Sequence, residues 1–387
     1  MQVVMKGKAT FLLLFPVLFC FFLLGICDVV GISVSYLQRD FQLSDSIAGI
    51  FPAIEFIGFL FLSVPFSILS WRTGYRTMAL GGMVLLSLSL LLPWCWYSLS
   101  SCLLMFFLLG VGYVALQSIL PFWLLGVVAG HPQSAVLTTA HLVKGMAACC
   151  VPFVAVLSVH YWGSWYYVFP LLGMLALLCC CCLWQVPVQP VEIAAWPSAK
   201  EVFGLLKNRT VLAFFVAAVC AAGIDVGMNV WVPKLLMERC GHSIENAVLG
   251  SSVYFAFKIF GTFASTILLV CFSAVNYYRM HVCLMLLSVL GLFFVEGEYA
   301  VLTLSGLIGL GCSCLFVLSS SLALHTDVKH AGSLSVLMMA GMSGGACVPL
   351  LMGCLSHGMG QASAALLIIL VCILYLLYFS CKIIRNV

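Results

Sequence analysis

From Phe11 to Tyr36 the chain is a nearly unbroken apolar run that carries a single charge, Asp28. Runs of this kind recur to the C-terminus, and each approaches the roughly 20 residues a helix needs to cross a bilayer. Their apolar residues are continuous rather than alternating, which selects helices over barrel strands, and in hydrocarbon only those two satisfy every backbone group. The pattern predicts an all-α integral membrane protein with spans near 11–36, 46–69, 78–97, 101–125, 135–159, 165–185, 211–235, 246–272, 280–296, 299–324, 332–355 and 362–381. Only 7% of the residues are charged, far below the roughly 25% of a soluble domain. Lys6 and Lys8 precede the first run as in a secretory signal, but the run is too long for a signal core and reads as a retained first span.

A more polar stretch, residues 186–209, contains three prolines and separates residues 1–185 from residues 210–387. With the N-terminus in the cytoplasm, Lys6, Lys8, Arg72, Arg76, Lys200, Lys207, Arg209, Arg279, Lys329, Lys382 and Arg385 share one side, against Arg39, Lys234 and Arg239. The excess of basic residues puts both termini and the linker in the cytoplasm, as expected of a multi-pass protein of the cell (inner or plasma) membrane. The net charge of +4 reflects that bias and not a nucleic-acid partner.

The two parts repeat each other. Asp28 in GICDVVG has a counterpart in Asp225 of GIDVGMN, and Glu55-Phe56-Ile57-Gly58 aligns with Lys258-Ile259-Phe260-Gly261. The interval from Gly58 to Arg76 equals that from Gly261 to Arg279. Cys150-Val151-Pro152 recurs as Cys347-Val348-Pro349, each a few residues after a Gly-Met pair. Matches in one order describe a duplication: two pseudo-symmetric six-helix bundles with a midplane site between them, the architecture of a secondary transporter.

Charges inside spans are costly and tend to be paired or functional. Asp28, Glu55, Lys144, Asp225 and Lys258 fall there. Low-dielectric surroundings disfavour an ionised carboxyl, so Asp28 is a candidate proton-coupling site or, alternatively, a carboxylate tying a helix kink. Asp225 lies between Gly223 and Gly227, with Asn229 one turn on; these two are candidates for solute hydroxyls, or a packing motif. Glu55 and Lys258 occupy equivalent repeat positions and could pair across the axis, or Glu55 could pair within its own half with Lys144. His141 shares a helix face with Lys144, either as a relay or as a packed hydrogen-bonder. Trp231, on the helix of Asp225, is a candidate stacking platform or an interfacial residue. Most of the twenty cysteines lie in apolar runs and read as small packing residues, with Cys95 and Cys102 able to pair across a short loop. No phosphate loop, zinc spacing or nucleophile–base set occurs, so neither cofactor nor metal nor enzymatic activity is expected.

GICDVVGISVSYLQRDFQLSDS, VPFSILSWRTGYR, GIDVGMNVWVPKLLMERCG, GSSVYFAFKIFG and KHAGSLSVLMMAGMSGGACVPLLMG resemble the major facilitator superfamily, and within it the fucose:proton symporter branch. The resemblance implies the major facilitator fold, a proton and a monosaccharide such as fucose, glucose or galactose as partners, and alternating access by a monomer. Arg72 and Arg76 match the basic positions of the family's gating loop, while Trp71 stands where that loop carries an acid. Gln117 is nearest to an acid of the branch's fourth helix, which makes Gln117, and Trp123 on the same helix, candidates for solute contact. Asp28 lies about one turn before the family's first-helix aspartate. An exporter of drugs or metabolites, or a non-transporting sensor of the same fold, are the alternatives.

Overall fold

The computed structural model describes residues 2–127, 133–184 and 198–382, with side chains over 14–70, 72–124, 136–184, 198–269, 271–327 and 329–382. The side chains of Lys6, Lys8, Trp71 and Arg385, and residues 186–197 of the linker, lie outside the described residues.

Among the described residues, twelve helices are long and apolar enough to cross a membrane. The first six are α1 (Leu14–Asp40), α2 (Asp45–Ser70), α3 (Tyr75–Cys95), α4 (Leu99–Leu124), α5 (Val136–Trp162) and α6 (Trp165–Trp184). The second six are α7 (Arg209–Cys240), α8 (Ile244–Leu269), α9 (Ala274–Leu292), α10 (Glu298–Thr326), α11 (Ala331–Met359) and α12 (Ala362–Lys382).

Helix ends differ from the expected ones where polar residues cap rather than loop. The ninth span, expected from residue 280, begins at Ala274 because the Ser273 hydroxyl accepts the Asn276 N–H at 3.3 Å. Asn276 to Arg279 therefore form the first turns of α9. Arg239, beyond the expected end of the seventh span at residue 235, lies within α7, as does Lys234, which is buried. Cys95 and Cys102 are free thiols, as are all described cysteines. The Ser98–Ser101 capping box starts α4 so that Cys102 turns into the bundle while Cys95 stays exposed.

The two bundles repeat the same packing. In the first, α1 lies on α5, α4 on α2 and α3, and α3 on α6; in the second, α7 lies on α11, α10 on α8 and α9, and α9 on α12. Close approach is set by glycine at matching places. A Cβ on Gly110 of α4 would stand 2.1 Å from the Glu55 carbonyl oxygen, and one on Gly309 of α10 would stand 2.5 Å from that of Tyr254. The duplicated arginines have duplicated partners. Arg76 donates to the Trp184 carbonyl at the end of α6, and Arg279 donates at 3.0 and 3.1 Å to that of Ser380 near the end of α12. Cations at helix C-termini complete carbonyls that have no partner within the helix. Between bundles, α5 packs on α8 and α2 on α11.

Candidate functional site

Four of the helices, α1, α4, α10 and α11, are interrupted within their length. α1 tightens into a 3-10 turn at Cys27–Val29 and α11 into another at Gly341–Ser343. Regular helix also stops between Gln117 and Leu120 in α4 and between Cys312 and Leu315 in α10. Irregular backbone at membrane depth is tolerated where it lines a cavity or is covered by protein. These breaks surround a cleft lined by Asp28, Gln117, His141, Lys144, Asp225, Phe255, Lys258, Cys312, Ser313 and Met342, among others. The cleft encloses about 780 Å³ of space not filled by atoms, part of it continuous with solvent.

In the second bundle the charges are paired. Lys258 Nζ donates to Asp225 Oδ2 at 2.5 Å, and the Tyr254 hydroxyl donates to Asp225 Oδ1 at 2.9 Å. Tyr254 and Lys258 are one turn apart on α8 and so grip the carboxylate from one face. Both charged side chains remain partly exposed, at 21% for Lys258 and 28% for Asp225, so the pair forms cleft wall and not sealed core.

In the first bundle they are not. Lys144 donates to the Tyr113 hydroxyl and lies 5.0 Å from the centre of its ring. Asp28 takes part in no ion pair among the described residues. Glu55 is fully buried, and neither of its carboxyl oxygens has a hydrogen-bond partner among the described residues. Gln117 is 8% exposed and its Oε1 is likewise unpartnered beside the cleft.

Several sequence-derived candidates are placed elsewhere. Lys258 pairs with Asp225 and not with Glu55, because Glu55 is turned into its own bundle where Gly110 lets α4 close on the Glu55 backbone. Lys144 is taken by Tyr113, so the local Glu55–Lys144 pair is not formed either. Asn229 is buried and ties the bundles together: its Nδ2 donates at 2.9 Å to the main-chain oxygen of Asp28, a carbonyl at the 3-10 break. Trp231 is fully buried with Lys234 Nζ 4.5 Å above its ring, and Trp123 is 4% exposed; neither reaches the cleft lining. Arg76 caps α6, and Arg72 is exposed with no ion pair among the described residues.

Tyr113 and Tyr254 went unnoticed in the sequence, although the spacing of Tyr254 to Lys258 was a readable signal. Also unnoticed was a cluster on the face remote from the termini. There Asp45 of α2 accepts from Lys234 of α7 at 2.7 Å, from Gln38 of α1 at 2.7 Å and from Ser356 of α11 at 2.5 Å. Arg39 and Glu245 add a second contact between bundles at 3.5 Å. The outer half of α1 packs on α7 and α8, while its inner half packs on helices of its own bundle. The bundles are thus fastened together on that face.

Solved transporters share this architecture at low identity. The fucose:proton symporter FucP of E. coli is 17% identical with a TM-score of 0.68, over 95% of this chain and 97% of that one. A bacterial homolog of the human lysosomal transporter Spinster, inward-facing and occupied, is 14% identical with a TM-score of 0.76, over 96% of this chain and 95% of that one. The nucleoside transporter NupG is 12% identical with a TM-score of 0.76, over 97% of this chain and 99% of that one. A search of curated proteins finds no match. The family model of the Major Facilitator Superfamily matches residues 14–325, and with twelve membrane-length helices among the described residues in two like bundles around a cleft, the chain belongs to that superfamily.

Proposed function

We propose that this transporter takes up a small hydroxyl-rich solute of the monosaccharide class together with a proton, by alternating access. The observation that carries the reading is Asp28: a carboxyl at a helix break, on the cleft wall, without an ion-pair partner among the described residues. Such a group can take up and release a proton without dismantling a salt bridge. The Asp225 carboxylate, held from one side by Tyr254 and Lys258, keeps acceptor capacity for solute hydroxyls, and Gln117 offers an unpartnered carbonyl oxygen. Two of the structural neighbours, by name, carry fucose and nucleosides, both rich in hydroxyls. In the proposed cycle Asp28 is protonated and solute binds between Asp225 and Gln117. The bundles then rock about the cleft, and solute and proton leave on the side of the termini.

Uptake of labelled monosaccharides into proteoliposomes, with and without an inward proton gradient, tests this. Gradient-driven accumulation is expected, and it should vanish in Asp28→Asn while solute exchange continues. Full accumulation in that variant removes Asp28 from the scheme. Gradient-driven efflux would favour an exporter, and no flux in either direction a sensor.

A further inference from the structure

We propose that Asp28, Glu55 and Lys144 form one proton-binding site, two acids sharing one base, with the proton on Glu55 in the conformation seen here. The consequence for transport rests on the coupled-uptake reading above; the occupancy of the site does not.

The argument starts from the repeat. In the second bundle the helix pair α7–α8 supplies one acid and one base, Asp225 and Lys258, and they pair. The equivalent helices of the first bundle, α1 and α2, supply two acids, Asp28 and Glu55. The base comes instead from α5. A Cβ on Gly25 would stand 2.0 Å from the Lys144 carbonyl oxygen, so α5 is pressed on α1 one turn before Asp28. The Lys144 charge acts on both carboxyls.

Three such groups at membrane depth are neutral only when one carboxyl keeps its proton. Glu55 holds it here, because a carboxylate with no exposure and no hydrogen-bond partner would be an uncompensated buried charge. Cys27 and Asp28 of α1, Tyr113 of α4 and Lys144 of α5 lie within electrostatic range of Glu55, without a hydrogen bond to it among the described residues. Transfer conserves charge: an O–H bond on Glu55 breaks, one on Asp28 forms, and Lys144 leaves the neutral Tyr113 hydroxyl to face the newly ionised Glu55. The two acids then titrate as a unit and not as separate groups.

Infrared spectra of the purified full-length protein in lipid nanodiscs test the site directly, through the C=O stretch of protonated carboxyls at neutral pH. The wild type should show a band that Glu55→Gln removes and that Lys144→Met strengthens, since without the base both acids must be neutral. A band untouched by Glu55→Gln, or unchanged by Lys144→Met, overturns the shared site. Melting temperatures of both variants check that the fold is kept. In proteoliposomes Glu55→Gln should lower the gradient-driven accumulation ratio to unity, and an undiminished ratio overturns the role of Glu55 in coupling. If the wild type accumulates nothing, the transport reading fails while the spectra still decide the site.

Discussion

Lys234 of α7 donates to Asp45 of α2 across 2.7 Å, and this contact crosses from one bundle to the other on the face remote from the termini. Its lysine is 5% exposed and its aspartate 21%. Opening that face must separate them. Asp45→Asn would leave the ammonium buried without a counter-ion, and breaking such a pair costs about 3–5 kcal/mol. The closed face loses that stabilisation, whereas an opened face would hydrate the lysine. Spin labels placed across this face on α1 and α7 should then report longer distances in Asp45→Asn than in the parent. An unchanged distance distribution would show that the contact does not hold the face shut.

The Asp225–Lys258 pair should be a coupled unit. Asp225→Asn and Lys258→Gln each strand one partner at the cleft wall, while the double variant strands none. Stabilities from thermal unfolding should therefore be non-additive, the double variant losing about 1–3 kcal/mol less than the sum of the singles. Additive losses would mean that the two charges are independently solvated.

Gly110 and Gly81 offer a matched test of packing. A methyl at Gly110 would collide with the Glu55 backbone at 2.1 Å, while one at Gly81 meets nothing within 4 Å. Gly110→Ala should cost about 1–3 kcal/mol or more through forced separation of α2 and α4. Gly81→Ala should be neutral or stabilising by at most about 1 kcal/mol, the helix-propensity gain. Equal melting temperatures for the two variants would contradict the close α2–α4 contact.

Between α10 and α11 the exposed Asp327 carboxylate lies 2.8 Å from His330 Nδ1. The hydrogen bond from His330 holds its carboxyl below the usual carboxylate range. A lowered folded value means the contact stabilises the loop above the unfolded value of about 3.9 and is lost as pH falls through the folded one. Acidification below about pH 4 should therefore lower the melting temperature of the wild type slightly more than that of Asp327→Asn. The effect is small because both groups face solvent. Identical acid profiles would mean that the contact contributes nothing.

Read as a string of residues, the chain already determined its twelve crossings and its duplication, because membrane hydrocarbon admits only helices or closed barrels and the unbroken apolar runs select helices, and because Glu55/Lys258 and Arg76/Arg279 keep their spacing. It also marked Asp28, Lys144, Asp225 and Lys258 as residues that had to meet something polar. Which partner each met was decided by tertiary structure alone. Lys258 found Asp225 and not Glu55, Lys144 found the Tyr113 hydroxyl, and Asn229 turned from the cleft to the Asp28 carbonyl. Those choices depend on helix rotation and on where glycines such as Gly25 and Gly110 let backbones touch. The Asp45 cluster joins α1, α2, α7 and α11, residues more than 300 positions apart at the extremes. Charge interactions act over a few ångströms of space, and a linear pattern records no such distances.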